Sequence, residues 1–220
     1  IGVTGTNGKT TTTHMLEHIF SRQNYRTGLV GTIHHKIGDR WLDSENTTPD
    51  AVDLQWMFKQ MVDERTDYAV MEVSSHALEL GRVRGCRFRT AIFTNLTQDH
   101  LDFHGNMENY LMAKSLLFSQ LGNTYESLPQ YAVLNADDPA ALFLQKVCAQ
   151  PVITYGIRQQ ADVRAEDIAL SASGTTCTFN TFRGKIQVRL KKVGLFSVYN
   201  ALAATTAALL EGISLERIAQ

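Results

Sequence analysis

Cysteine, net charge and long apolar runs are all scarce in this chain, and each shortage removes a class of protein. The three cysteines among 220 residues, Cys86, Cys148 and Cys177, lie far apart with no CxxC pair. That argues against a disulfide scaffold or a structural zinc site and suits a reducing compartment, so a cytoplasmic setting is expected. Lys and Arg (21) nearly cancel Asp and Glu (22). No global field draws in nucleic acid or an anionic membrane, and neither is expected as a partner. No apolar run approaches the ~18 residues that cross a bilayer, so no membrane insertion is expected. No repeat, low-complexity tract or signal peptide is visible. What remains is an ordinary composition, 44% hydrophobic and 20% charged, with enough chain for one large core or two small ones. A strand is already under way at Ile1, which reads as a segment of a longer protein.

Short apolar runs alternate with helical patterns. Strands are expected at 1–4, 28–32, 68–73, 91–96, 131–135 and 152–155, and helices at 10–23, 51–64, 107–121, 139–149 and 198–211. This alternation implies an α/β fold, a mostly parallel sheet with helices on both faces. The texture changes near 162–190, where three short strands separated by Ser-Gly and Arg-Gly turns predict a small antiparallel patch at one edge. A small hairpin is expected over 33–43, around Gly38-Asp39.

The strongest chemical signal is Gly5-Thr6-Asn7-Gly8-Lys9-Thr10-Thr11, directly after a strand and opening a helix. Glycines let backbone N–H groups turn toward an anion, and the helix N-terminus adds partial positive charge. Lys9 would reach terminal phosphates and the Thr10 hydroxyl a Mg²⁺ ion. The generic phosphate-loop pattern asks for Gly at position 3, where this chain has Val3. The plain alternative is a glycine turn capping a helix.

Lys114 falls on the apolar stripe of its helix, with Met107, Tyr110, Leu111, Leu117, Phe118 and Leu121. An ammonium there must be paired, neutral or snorkelling to water. Carbamylation by CO₂, which turns the amine into a metal-binding anion, is another way out. Glu72 ends a predicted strand, where α/β sheets bind ligands, and suits Mg²⁺. His100 and His104 are spaced i,i+4, which is open to zinc; the stretch also suits a loop that brings His100 to a metal with Asp99 and Asp102 orienting it, or plain helix capping by Asp99 or Asp102. Asn46-Thr47-Thr48-Pro49 offers donors for an anionic or peptide-like substrate, or a helix cap at Thr48 or Asp50. Arg82 and Arg84 suit a carboxylate or phosphate clamp, or bulk solvent.

Taken together, these stretches resemble the ATP-dependent Mur ligases of bacterial peptidoglycan synthesis, and within them the tripeptide-forming branch. GTNGKTT at 5–11, ENTTP at 45–49, MEVSSHAL at 71–78, FTNLTQDHLDFHG at 93–105, AKSLLF at 113–118, NADDP at 135–139 and FSVYNALAA at 196–204 occur in the family's order. The resemblance implies the central ATPase domain, with a UDP-sugar-binding domain before it and an amino-acid-selecting domain after it. It implies that Gly5, Thr6, Asn7, Gly8, Lys9, Thr10 and Thr11 hold ATP phosphates and Asn200 the base. It places Thr10, Glu72, His100 and Lys114 at magnesium positions, Lys114 as N6-carboxylysine, with Lys9, His100 and Lys114 carrying catalysis. Asn46, Thr47, Thr48, Ser74 and Arg82 match positions that hold UDP-MurNAc-dipeptide. The implied reaction joins a third amino acid, meso-diaminopimelate or L-lysine, to that dipeptide, in a monomeric enzyme. Leu80 and Ser197 depart from the family pattern, the second of them in an Asn-x-x-Asn pair that ends at Asn200. Asn135, Asp137 and Asp138 are further candidate nucleotide contacts. Two alternatives remain: a folylpolyglutamate- or cyanophycin-synthetase-type ligase, and a non-catalytic ATP-binding module.

Overall fold

The computed structural model describes residues 1–122 and 128–219. In chain order the elements are β1 (Gly2–Thr4), α1 (Lys9–Arg22), β2 (Thr27–Val30), β3 (His34–Ile37), β4 (Arg40–Asp43), α2 (Ala51–Asp63), β5 (Tyr68–Glu72), α3 (Ser75–Glu79) and β6 (Thr90–Phe93). There follow α4 (Leu101–His104), α5 (Met107–Ser119), β7 (Tyr131–Asn135), α6 (Ala140–Val147), β8 (Val152–Gly156), β9 (Val163–Ser171), β10 (Gly174–Thr181), β11 (Gly184–Leu190), α7 (Leu195–Leu210) and α8 (Leu215–Ile218).

The strands form one sheet in the order β11-β10-β9-β8-β7-β6-β1-β5-β2-β3-β4. Its centre is parallel, because each central strand returns through a helical crossover. The antiparallel patch predicted near 162–190 is present as β9-β10-β11. The predicted hairpin adds β3 and β4 at the opposite edge.

Alternation along the central strands sends side chains to two cores. Val3, Leu29, Val70, Ile92 and Val133 meet Leu16 and Phe20 of α1 and Val198 and Leu202 of α7. Met71, Val73, Ala91, Phe93, Ala132 and Leu134 meet Leu54 and Met57 of α2, Leu117 and Phe118 of α5 and Leu144 of α6. The alanines of α7 (Ala201, Ala203, Ala204, Ala207, Ala208) are all buried, and such small side chains allow close approach of neighbouring elements.

Three short helices, α3, α4 and α8, have too few turns for a periodic signal and escaped the sequence reading. β5 stops one residue before its expected end, at Glu72, and two other strands stop further short. β2 ends at Val30 because Thr32 turns its N–H to the Glu72 carboxylate (2.8 Å). β6 ends at Phe93 because Asn95 and Leu96 bond elsewhere: Thr6 N–H donates to the Asn95 carbonyl (2.8 Å) and Leu96 N–H to Asp138 (2.7 Å). Asp50 precedes α2 but makes no side-chain cap; its carboxylate pairs with Arg82 instead (2.9 Å). His100, in the left-handed region at φ 54°, rather than Asp99 or Asp102, stands at the cap position of α4.

Candidate functional site: a phosphate loop beside a buried lysine

The carboxyl ends of β1, β5 and β6 lie side by side, and the glycine loop, Thr10, Glu72 and Lys114 gather around them. The loop from Gly5 to Gly8 leaves β1 and opens α1. Gly5 (φ 144°) and Gly8 (φ 89°) take backbone conformations closed to most L-residues. A Cβ on Gly5 would lie 1.9 Å from Thr94 Oγ1, and one on Gly8 2.3 Å from Asn200 Oδ1. The Asn200 side chain therefore rests directly on the loop.

The loop after β6 braces this one. The Asn95 carboxamide accepts from Asn7 N–H and donates to the Asn7 carbonyl, both at 3.0 Å. Thr94 Oγ1 donates to the Asn7 carbonyl at 2.6 Å. Lys9 Nζ crosses the loop to the carbonyls of Gly5 (2.8 Å) and Thr6 (2.9 Å). Burial lowers its pKa, opposed by the charges of Glu72 and Asp99.

Glu72 is 1% exposed and fully engaged. It accepts from the Thr10 hydroxyl (2.9 Å), the Thr32 hydroxyl (3.0 Å) and the Thr32 N–H (2.8 Å). This oxygen-rich pair of Thr10 and Glu72 suits a hard divalent cation.

Lys114 is 1% exposed, so it does not snorkel. Its amine points into the site, 3.1 Å from the Gly5 carbonyl and 4.2 Å from the centre of the Tyr110 ring. Burial first, then the nearby Lys9 charge, push its pKa down to about 6, against the pull of Asp99. A lysine amine in that state is largely uncharged and nucleophilic at neutral pH.

His100 is exposed; its N–H donates to Asp99 Oδ1 (2.8 Å) and its ring Nε2 lies 3.5 Å from Asp99 Oδ2. Its ring edge meets Tyr110 and His76, at centroid distances of 6.0 and 5.1 Å. His104 turns away. Its two ring nitrogens are taken by Glu79 (3.0 Å) and Ser75 (2.9 Å), which removes the His100–His104 zinc reading. Among the described residues no group of three or more His, Cys, Asp and Glu side chains closes on one point. Thr10 and Glu72 are thus joined, Lys114 meets the same loop from the other side, and His100 reaches it through Tyr110.

The residues expected at a substrate form a neighbouring brace. Thr48 is buried, donating to the Glu72 carbonyl (2.9 Å) and accepting from Ser74 N–H (3.1 Å). Ser74 caps α3 by accepting from Ala77 N–H (3.2 Å). Arg82 donates to the Thr48 carbonyl (3.0 Å). Thr47 meets Thr32 through their hydroxyls (3.1 Å), and Ser44 donates to the Asn46 carbonyl (3.1 Å).

On the opposite side of the loop, a cleft of about 650 Å³ is lined by Asn7, Gly8, Asn135, Asp137, Phe196 and Asn200 among others. Asp137 is committed to structure: it accepts from the N–H groups of Ile157, Arg158 and Gln159 and from the Tyr199 hydroxyl. Asp138 accepts from Leu96 and Ala140 N–H, and Asn135 donates to the Thr94 carbonyl. All three organise the cleft wall. Thr32, Thr94, Asn95 and Tyr110 were not singled out from the sequence. The signal for Tyr110 was its place one helical turn before Lys114, and for Thr94 and Asn95 their place in the family-matching stretch 93–105; Thr32, a single polar residue after a strand, gave none.

The family model described as the Mur ligase middle domain matches residues 3–208. The chain belongs to the Mur ligase family. It is 54% identical over its whole length to the UDP-N-acetylmuramoyl-L-alanyl-D-glutamate--2,6-diaminopimelate ligase of Geobacillus kaustophilus. It is 50% identical, over 99% of its length, to the ligase of the same name from Listeria monocytogenes. It spans 45% and 44% of those two Mur ligases. A solved structure of a ligase so named superposes with TM-score 0.89 at 33% identity, over 99% of this chain and 44% of that one. The Mur ligase fold, a mostly parallel sheet with an antiparallel edge, is the one described above.

Proposed function

We propose that this chain is the central nucleotide-binding domain of a ligase that uses ATP to join a third amino acid to UDP-MurNAc-L-Ala-D-Glu in peptidoglycan synthesis. The carrying observation is that the glycine loop is flanked by the Thr10–Glu72 pair at its helical end and takes the buried Lys114 amine at its Gly5 carbonyl. Relatives named for 2,6-diaminopimelate favour that amino acid over lysine. The dipeptide's side-chain carboxylate attacks the γ-phosphorus of ATP, ADP leaves, and the acyl phosphate formed is attacked by the incoming amine. The tetrahedral intermediate then collapses to amide and inorganic phosphate.

The first step brings two anions together, so charge neutralisation is the main demand. Lys9 and the amides at the start of α1 meet the phosphates, with the Lys9 amine exchanging carbonyl partners for phosphate oxygens. Thr10 and Glu72 would hold one magnesium ion. Lys114, as the carbamate, would hold a second together with His100; the buried, proton-poor amine has the chemistry that CO₂ addition requires. Magnesium supplies Lewis-acid neutralisation of phosphate charge. Asn46, Thr47, Ser74 and Arg82, braced through Thr48, border the dipeptide's place, and Asn200 meets the base.

The test is a coupled phosphate-release assay in the full-length ligase. Turnover requires UDP-MurNAc-L-Ala-D-Glu together with diaminopimelate, and Lys114→Ala nearly abolishes it without rescue by bicarbonate. Wild-type rates in that variant remove the carbamate from the mechanism. Release only with folate- or aspartate-polymer acceptors overturns the substrate assignment.

A further inference from the structure

Tyr110 has none of its surface exposed, yet its hydroxyl does not serve the core. It lies 3.2 Å from Thr6 Oγ1 in the phosphate loop. The proton count fixes the direction of that bond. Thr6 Oγ1 spends its one hydrogen on the Thr97 carbonyl (3.1 Å) and accepts from Thr97 N–H (3.0 Å). The lone pair left over accepts from Tyr110, so the phenol is the donor. The face of the same ring seats Lys114 Nζ, which is pinned from the other side by the Gly5 carbonyl. Its flank meets the His100 ring edge-on. One buried side chain thus touches the loop, the amine and the histidine.

We propose that Tyr110 is a positioning residue: its ring seats the Lys114 amine and its hydroxyl latches the phosphate loop, holding the two in register. This deepens the ATP-ligase reading and rests on it. The two halves of the role are separable. Tyr110→Phe keeps the seat and removes the latch; Tyr110→Leu removes both; Thr6→Val removes the latch from the loop side.

Two measurements on the 220-residue chain test this. In lysine-labelled NMR spectra the Lys114 Hε protons, next to an amine seated over the Tyr110 ring, resonate upfield of the lysines that face no ring, Lys36 over Trp41 being the other that faces one. That shift persists in Tyr110→Phe and Thr6→Val and disappears in Tyr110→Leu. Calorimetry with Mg-ATP gives a Kd raised about fivefold in both latch variants, the loss expected for one hydrogen bond, and further still in Tyr110→Leu. An unshifted Lys114 signal in the wild type overturns the seat, and a Tyr110→Phe Kd equal to wild type overturns the latch. If Tyr110→Leu does not fold, the wild-type spectrum and the two latch variants still decide both points. Failure of the wild-type chain to bind Mg-ATP at all would instead strike the ligase reading, and the upfield Lys114 signal would still report on the seat.

Discussion

An amine sealed from water is costly to the fold, and its cost depends on pH. The unfolded chain holds Lys114 protonated up to the ordinary lysine value, whereas the folded chain releases the proton at about 6. Between those two values the unfolded state binds more protons, so stability rises with pH; below about 6 the penalty is complete. Replacing Lys114 with the similar-sized Met should therefore stabilise the chain, on the order of 4 kcal/mol at pH 7 and clearly less at pH 9. Urea midpoints at the two pH values, in CO₂-free buffer, check this; a gain that does not shrink with pH would show that the amine is not held neutral. Such a gain would match the stability cost of active sites and so support the role proposed for Lys114.

At the level of elements, the two loops at the ends of β1 and β6 behave as one unit, because Asn95 and Thr94 bind the backbone of Asn7 as a neighbouring strand would. Gly8→Ala puts a methyl group into Asn200 and forces a positive φ on an L-residue. We expect a loss of about 1–3 kcal/mol in stability and of detectable Mg-ATP binding, read by denaturation and calorimetry. Gly85, also at positive φ, has no neighbour within 4 Å of its would-be Cβ, so Gly85→Ala serves as the control and leaves nucleotide affinity unchanged. On the far side of α1, Glu17 pairs with Lys36 of β3 and accepts from Ser21 and Thr27, both at 2.7 Å. Burial works against its ionisation, but the hydrogen bonds to Lys36, Ser21 and Thr27 outweigh it and the pKa falls. Its contribution is present above the ordinary carboxylate range and is lost as pH falls through the lowered value. Lys36→Met strands that carboxylate and should cost about 3–5 kcal/mol, whereas the double change with Glu17→Gln recovers much of the loss. A cycle in which the double variant is the sum of the singles would refute the pairing.

Over the whole molecule, the sheet makes a platform on which one edge of the site is fixed by α1 and α7 and the other by α3 and α5. On the proposed reading the nucleotide's place lies within this chain, so the 220-residue chain alone should bind Mg-ATP, measured by calorimetry, without ligating. Turnover by the isolated chain would overturn that division of labour. Among the described residues no helix is long and apolar enough to cross a membrane.

The sequence by itself determined the order and type of the long elements, the glycine loop that opens α1 and the family, because hydrophobic period, glycine placement and contiguous motifs are local properties. It put Lys114 on the buried stripe, where helical spacing alone left snorkelling and an inward amine open and only the family resemblance pointed inward. The tertiary structure supplies the physical reason, since burial depends on the β1 loop, 109 residues away in sequence, that closes over the amine. It likewise decided that Asp50 pairs with Arg82, that Asp137 and Asp138 build the cleft wall, and that β2 and β6 stop early. In each case a polar group had more than one available partner, and only the folded chain determines which of them is near enough to bond.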